Sequence, residues 1–145
     1  MEIFPPKKIK IAPSKGRGRG VFATEDIKKG EIIEYCPIIN ITKKETDFLE
    51  KEDLTLEYYY LWQEEFDKSC VMFGYGSIYN HDKKNPNAEL DYDTKKQQNY
   101  IIYRAIKNIK AGEEIVWDYD FVDGKEQFLK LDKDGQLQQK KARNR

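Results

Sequence analysis

Short apolar runs, each closed by a turn, are the feature of this chain that most restricts its fold. Runs such as IKIAP and IIEYCPIINI are rich in β-branched residues, and Gly, Pro or Asn stands between the runs in SKGRG, GYGS and NPNA. β-Branched and aromatic residues favour extended strands, whereas Gly, Pro and Asn favour tight turns. The sequence therefore predicts a mainly β fold of several short strands with a few short helices.

The element boundaries follow from the same reasoning. We predict strands over residues 9–13, 19–23, 32–41, 58–62, 70–73 and 115–119, and a hairpin of NAELDYD and NYIIYRAI around TKKQQ. Pro37 is expected to kink its strand. Thr42 and Glu45 have the spacing of a capping box, so a short helix should follow Thr42. KEQFLKL (125–131) has the spacing of an amphipathic helix, followed by a polar, frayed tail.

The composition restricts the class of protein. A chain of 145 residues suits one domain, and 36% charged residues indicate a well-solvated surface. Because 26 basic residues balance 26 acidic ones, no net charge attracts the chain to nucleic acid or an anionic membrane. No apolar run approaches the roughly 20 residues that cross a bilayer, and MEIFPPKK lacks the apolar core of a secretory signal. We expect an intracellular, cytoplasmic protein with no membrane partner and no direct nucleic-acid binding.

The rare residues of the chain are two cysteines and one histidine. Cys36 and Cys70 form no CxxC pair, so neither a disulfide framework nor a structural zinc site is expected, and both are predicted to be small buried hydrophobes. His81 is open to several interpretations: a cofactor-pocket residue, a core histidine, a general base or a metal ligand. A metal site needs more ligands at usable spacing than the chain offers. A cysteine–histidine hydrolase lacks a local signature.

Three segments hold more special residues than packing requires: GRGRGVFA, YNHDKKNPNA and AGEEIVWDYD. Gly18 and Gly20 would let backbone amides approach a ligand, because glycine has no Cβ. Neither a phosphate-binding loop nor a dinucleotide-binding motif fits, since the required glycine and lysine spacing is absent. An ordinary turn and a basic nucleic-acid patch remain open alternatives for this stretch.

Taken in this order, the three segments resemble the SET domain of protein-lysine methyltransferases, over roughly residues 9–121. GRGVFA, YNH…NPNA and GEEIVWDY carry the resemblance, with support from DIKKGEIIEY. It implies a single domain over residues 1–145 with several small sheets and a knot-like threading of the C-terminal segment. Residues 122–145 would form the C-terminal helix and tail. The absence of a cysteine cluster after DYDF resembles the compact stand-alone form known from bacteria and viruses.

The resemblance also implies the site. The catalytic residues would be Tyr119 and Tyr35, with the Tyr119 hydroxyl at the position of methyl transfer. Residues expected to bind S-adenosylmethionine are Arg17, Gly18, Arg19, Gly20, Asn80, His81 and Tyr119. Residues expected to contact the substrate are Tyr79, Trp117 and Phe121. The product would be S-adenosylhomocysteine, and no metal is implied.

The resemblance leaves the substrate and the surroundings of the site open. The partner would be a lysine-containing protein or peptide, with a histone tail as one candidate. Phe121, the 125–131 helix or a second subunit in a homodimer would close the lysine channel. A viral or secreted protein would act in a host nucleus. Two departures, Asp82 in place of the common Ser and Trp117 in place of Phe or Tyr, keep a non-catalytic peptide-binding module as the alternative and leave the degree of methylation open.

Overall fold

Paired strands make up most of the fold. The computed structural model describes residues 3–52, 60–63, 68–92 and 100–119. The strands within these ranges are β1 (Ile9–Ser14), β2 (Gly18–Ala23), β3 (Ile32–Ile41), β4 (Tyr60–Gln63), β5 (Lys68–Met72), β6 (Asn80–His81), β7 (Ala88–Tyr92), β8 (Tyr100–Ala105) and β9 (Glu114–Trp117), and the helix is α1 (Lys43–Lys51). The predicted mainly β fold is confirmed.

The strands form a connected sheet in the order β1-β2-β9-β7-β8-β3-β5-β4, with β6 paired to β9 beside this path. The pairings of β9 with β6 and with β7 are parallel, and the other pairings are antiparallel. A parallel pair cannot be closed by a tight turn, so β9 must return to these strands by a longer route. The order thereby places the end of the described chain beside residues 80–81.

Strand β3 differs from the prediction, because Pro37 does not interrupt it. The strand runs from Ile32 to Ile41 and changes partners at the proline. Residues up to Pro37 pair with β8, and residues from Ile38 onwards pair with β5. Proline has no N–H to donate. Its carbonyl oxygen accepts from Phe73 N at 2.8 Å, so the proline marks the change of partner.

The other element predictions that fall on the described residues are confirmed to within a few residues. The β1–β2 hairpin and the β7–β8 pair lie where they were expected. Cys36 and Cys70 are both fully buried, as expected of small core residues. Residues 53–59 and 93–99, the predicted 125–131 helix and the C-terminal threading lie outside the described residues. In the described part of the chain, no helix is long and apolar enough to span a membrane.

Two similar turns, IKKGE at 27–31 and IKAGE at 109–113, face each other. Ile27 N donates to Ile109 O, and Ile109 N donates to Ile27 O, both at 2.8 Å. Each turn also has an amide that donates to the side-chain oxygen of the residue just before the other turn: Lys29 N to Asn108 Oδ1 and Ala111 N to Asp26 Oδ1. The two turns therefore hold the start of β3 and the start of β9 in fixed relation.

Helix α1 begins at a complete capping box. The Thr42 side chain accepts from Glu45 N at 3.2 Å, and the Glu45 carboxylate accepts from Thr42 N at 2.7 Å. On the inner face of the helix, buried Thr46 donates from its hydroxyl to Ser69 Oγ at 3.0 Å and so joins α1 to β5. The predicted helix start is confirmed.

We expect Thr42→Ala to lower the free energy of unfolding by about 1 kcal/mol, because the Glu45 N–H at the start of α1 loses its acceptor, the Thr42 hydroxyl oxygen. Urea denaturation measures this change. Thr24→Ala is the matched control, since Thr24 is exposed and should change stability by less than about 0.5 kcal/mol. Equal losses in the two variants would contradict the role of the cap.

Candidate active site

Strand β9 organises the site, because three strands pair with its four residues. It pairs antiparallel with β2 and parallel with β6 and β7. The side chain of Asn87 completes this pairing: Nδ2 donates to Glu114 O at 2.8 Å, and Oδ1 accepts from Val116 N at 2.9 Å. An amide side chain can donate and accept in this way, so the Asn87 side chain forms hydrogen bonds to β9 as a neighbouring strand would.

Residues 79–81 hold Tyr119 at both ends. The Tyr119 hydroxyl donates to the carbonyl oxygen of Tyr79 at 2.5 Å. The Tyr119 backbone N–H donates to Nδ1 of His81 at 3.0 Å. His81 is buried, with 5% of its surface exposed, and its ring lies 5.0 Å from the ring of Tyr119. The single histidine of the chain therefore fixes the main chain of the predicted catalytic tyrosine.

The Tyr119 hydroxyl keeps its proton at neutral pH. Burial raises the pKa of Tyr119 to about 12, because desolvation disfavours the phenolate; the positive charge of Arg17 opposes the rise and the negative charge of Glu114 adds to it. The hydroxyl is therefore a donor aimed at the Tyr79 carbonyl. A hydroxyl that keeps its proton at neutral pH is poorly suited to act as a general base.

Glu114 joins three segments that are distant in sequence. Its carboxylate accepts from Ser14 Oγ at 2.9 Å and from Asn80 Nδ2 at 2.7 Å. Asn80 Nδ2 also donates to Arg19 O at 2.9 Å. A Cβ added at Gly20 would collide with the ends of Glu114 and Asn80. The absence of a side chain at Gly20 therefore leaves space for the hydrogen bonds between Glu114 and Asn80.

Gly18 and the two arginines lie on the outer side of the same turn. Gly18 has φ +77°, a left-handed conformation that favours glycine, and a Cβ added there would meet nothing within 4 Å. Arg17 is half-buried, and its positive charge opposes the rise in the pKa of the Tyr119 phenol, whereas Arg19 is exposed. Gly18 thus has open space beside it, whereas Gly20 is enclosed by the protein, and the cofactor contacts of both glycines stay predictions.

Trp117 forms the aromatic wall beside Tyr119. The two ring centroids are 4.7 Å apart, and Trp117 also meets Tyr103 edge to face at 5.7 Å. Only 5% of Trp117 is exposed, and its indole nitrogen is buried without a hydrogen-bond partner among the described residues. A buried donor normally has a partner, so this N–H is an exception among the polar groups of the described core.

Two residues predicted from the resemblance lie apart from this arrangement, and one cannot be placed. Tyr35 belongs to an aromatic cluster with Phe4 and Tyr100, with ring centroids 5.3 and 6.4 Å away. The ring of Tyr79 is 1% exposed and lies in the core, while its carbonyl faces Tyr119. Phe121 lies outside the described residues. The catalytic role of Tyr35 and the substrate contact of the Tyr79 ring stay predictions.

Glu34 is the residue of this region that the sequence reasoning missed. It is 3% exposed and accepts from Tyr75 N at 2.8 Å and from the Tyr79 hydroxyl at 2.7 Å. Burial raises the pKa of Glu34, although these hydrogen bonds oppose the rise. The available signal was a single acidic residue between apolar ones in IIEYC. Alternation alone could not tell which face of the strand it lies on.

Glu114→Ala is expected to lower the free energy of unfolding by about 1–3 kcal/mol, because Ser14 and Asn80 lose their acceptor. Thermal or urea denaturation of the purified variant measures the loss. The neighbouring Glu113 is exposed, so Glu113→Ala serves as the matched control with a change below about 0.5 kcal/mol. A loss in Glu114→Ala no larger than in the control would mean that the network does not stabilise the fold.

Comparison with known proteins agrees with this geometry. Residues 18–120 match the SET domain family. The Schizosaccharomyces pombe protein named histone-lysine N-methyltransferase, H3 lysine-37 specific, is 34% identical over 111 residues, covering 77% of this chain and 72% of that protein. N-lysine methyltransferase KMT5A-A of Danio rerio is 31% identical over 114 residues, covering 72% of this chain and 33% of that protein. The chain thus spans about a third of the zebrafish relative.

Solved structures share the fold. The Plasmodium falciparum protein PFL0690c superposes with a TM-score of 0.62 and 35% identity, covering 82% of this chain and 98% of that one. A Chaetomium thermophilum Polycomb Repressive Complex 2 chain, in complex with H3K27me3 and H3K27M, superposes with a TM-score of 0.67 and 25% identity, covering 79% of this chain and 14% of that one. The resemblance carried by the three motifs is confirmed, and the chain belongs to the SET domain family of protein-lysine N-methyltransferases.

Proposed function

We propose that this protein transfers methyl groups from S-adenosylmethionine to the side-chain amine of a lysine in a protein substrate, with a histone tail as the candidate. The observation that carries the proposal is the placement of Tyr119. Its hydroxyl is bound to the Tyr79 carbonyl and its backbone to His81. These contacts hold a phenol and a carbonyl oxygen side by side, where both can face one small group.

The residues around Gly18 fit such a cofactor. The turn is open at Gly18, and the cationic side chain of Arg17 lies near enough to Tyr119 to oppose the rise in its pKa. Arg17 suits a carboxylate, because a guanidinium pairs with that group in two hydrogen bonds. When bound, the cofactor would supply a methyl group on a sulfonium: the lysine nitrogen would attack the methyl carbon in line with the C–S bond, and S-adenosylhomocysteine would leave as that bond breaks. Asn80, fixed by Glu114, presents the adjoining main chain to the same pocket.

Tyr119 contributes orientation and electrostatics. Its raised pKa keeps the hydroxyl protonated, so it does not remove the lysine proton. The hydroxyl oxygen and the Tyr79 carbonyl oxygen can accept weak C–H contacts from a polarised methyl group, which are small but directional. Alignment of the two reacting groups supplies most of the effect, since the displacement needs them in line.

The amine must be neutral to react. A free lysine has a pKa near about 10.4, so it is mostly protonated at pH 7. Desolvation beside Trp117 and Tyr119 and the positive charges of Arg17 and the sulfonium all disfavour the protonated amine. The site therefore favours loss of the proton to water without a dedicated base.

A histone substrate is supported by the relatives. The fission yeast relative is named for lysine 37 of histone H3. A tail lysine is flexible and has a long apolar stem, which aromatic rings such as Trp117 and Tyr119 can enclose. We therefore place histone H3 and its tail peptides first among the substrates to be screened.

Tyr119→Phe is expected to lower kcat about 100-fold or more while S-adenosylmethionine still binds, because only the oriented hydroxyl is lost. Turnover is measured with histone H3 by mass spectrometry, and cofactor binding by calorimetric titration. Tyr35→Phe is measured in parallel: a comparable loss would place Tyr35 in the site as the resemblance implies. An unchanged kcat in Tyr119→Phe would contradict the proposed mechanism. Binding without any turnover in the wild type would favour a peptide-binding module instead.

Trp117→Phe is expected to shift the products towards higher degrees of methylation, because the smaller ring leaves space beside Tyr119 for a nitrogen that already carries methyl groups. The resemblance implies this role for the position. Mass spectrometry of a peptide with one lysine, sampled over time, gives the ratio of mono-, di- and trimethylated product. The same ratio in variant and wild type at equal conversion would place Trp117 outside the pocket that receives the amine.

A further inference from the structure

Glu34 is a buried carboxyl group that core packing alone does not explain. It lies on the inner face of β3 with 3% of its surface exposed, and within the described ranges it makes no ion pair. A carboxylate taken out of water without a cation is costly, and proteins normally avoid it. An apolar side chain of similar size would fill the same space, so the acid must serve another purpose.

The loop that precedes the site is shaped around this carboxyl. Gly74 has φ +69°, and a Cβ at this position would collide with Oε1 of Glu34. Only glycine both adopts this conformation and leaves the space. The next residue, Tyr75, donates its N–H to the same oxygen at 2.8 Å. The Cys36 thiol lies close enough to oppose the rise in the pKa of Glu34. The carboxyl therefore occupies a pocket built for it.

Tyr79 connects this pocket to the site. Its hydroxyl donates to Glu34 Oε2 at 2.7 Å, and its ring stacks on Tyr103 with centroids 4.0 Å apart. The ring is thus held at its end by the acid and on its face by another ring. The carbonyl of the same residue accepts from the Tyr119 hydroxyl. Because the ring and the carbonyl both belong to Tyr79, fixing the ring restricts the direction of the carbonyl.

We propose that Glu34 is a positioning residue for methyl transfer: through Tyr79 it fixes the carbonyl oxygen that orients the hydroxyl of Tyr119. The inference rests on the proposed function. Glu34 contacts the reacting groups only through Tyr79, and no bond forms or breaks at its carboxyl. Both the ionised and the protonated acid can accept from the Tyr79 hydroxyl, so the role does not depend on its titration.

The test is a set of double-mutant cycles on kcat. Glu34→Leu, which fills the same space but removes both carboxyl oxygens, and Tyr79→Phe are each made alone and together with Tyr119→Phe. Each single change is expected to lower kcat about tenfold with both KM values within about twofold, since the loss is one of alignment. In the Tyr119→Phe background the same changes are expected to lower kcat by less than about twofold, because no hydroxyl remains to be oriented.

Thr46→Val is the matched control for loss of a buried hydrogen bond. The Thr46 hydroxyl is buried and donates to Ser69 Oγ at 3.0 Å, on helix α1. The control should lose stability to a similar extent, as urea denaturation measures, and keep kcat within about twofold. If Glu34→Leu does not fold, the cycle with Tyr79→Phe decides alone.

Two results overturn the inference while leaving the proposed function intact. One is an equal loss of kcat in both backgrounds, which would mean that Glu34 and Tyr79 do not act through Tyr119. The other is a loss confined to KM or matched by Thr46→Val, which would mean a structural role. A wild type that folds and binds S-adenosylmethionine but methylates no lysine overturns the proposed function itself, and this inference with it.

Discussion

The pairing of β9 is the constraint on which the rest of the structure depends. Its four residues pair antiparallel with β2 and parallel with β6 and β7. The three partner strands come from distant parts of the chain, and the parallel pairings have no local turn to form them. Side chains add hydrogen bonds to this backbone pairing: Asn87 bonds to the backbone of β9, and Glu114 accepts from the side chain of Asn80. Loosening β9 would displace the glycine turn and Tyr119 together.

Polar groups in apolar surroundings give the site its chemistry. The raised pKa of Tyr119 makes it a permanent hydroxyl donor, and this donor is aimed by a carbonyl and not by another side chain. Glu34 behaves differently: burial raises its pKa while hydrogen bonds oppose the rise, and its effect reaches the site through Tyr79. Both groups are held in a fixed geometry, which suits a reaction governed by alignment.

Most of the strands could be predicted from the sequence, because each depends on local preferences. β1, β2 and β7 lie where β-branched and turn residues predicted them, and the capping box marks the start of α1. Pro37 shows what local preferences could not predict. A proline indicates that a ladder hydrogen bond is missing, but the strand continued because its partner changed there. Which strand pairs with which depends on the whole sheet.

The candidate site divides in the same way. The sequence by itself determined the residue types and the motif order: a glycine turn, an Asn-His segment and a strand that ends in Tyr119. Only the tertiary structure decided that His81 binds the backbone of Tyr119 and that Gly20 leaves space for Glu114. It also decided that Tyr35 packs against Phe4 and that Glu34 accepts a hydrogen bond from Tyr79. The physical reason is that alternation along a strand separates two faces but does not say which one is covered by the rest of the fold.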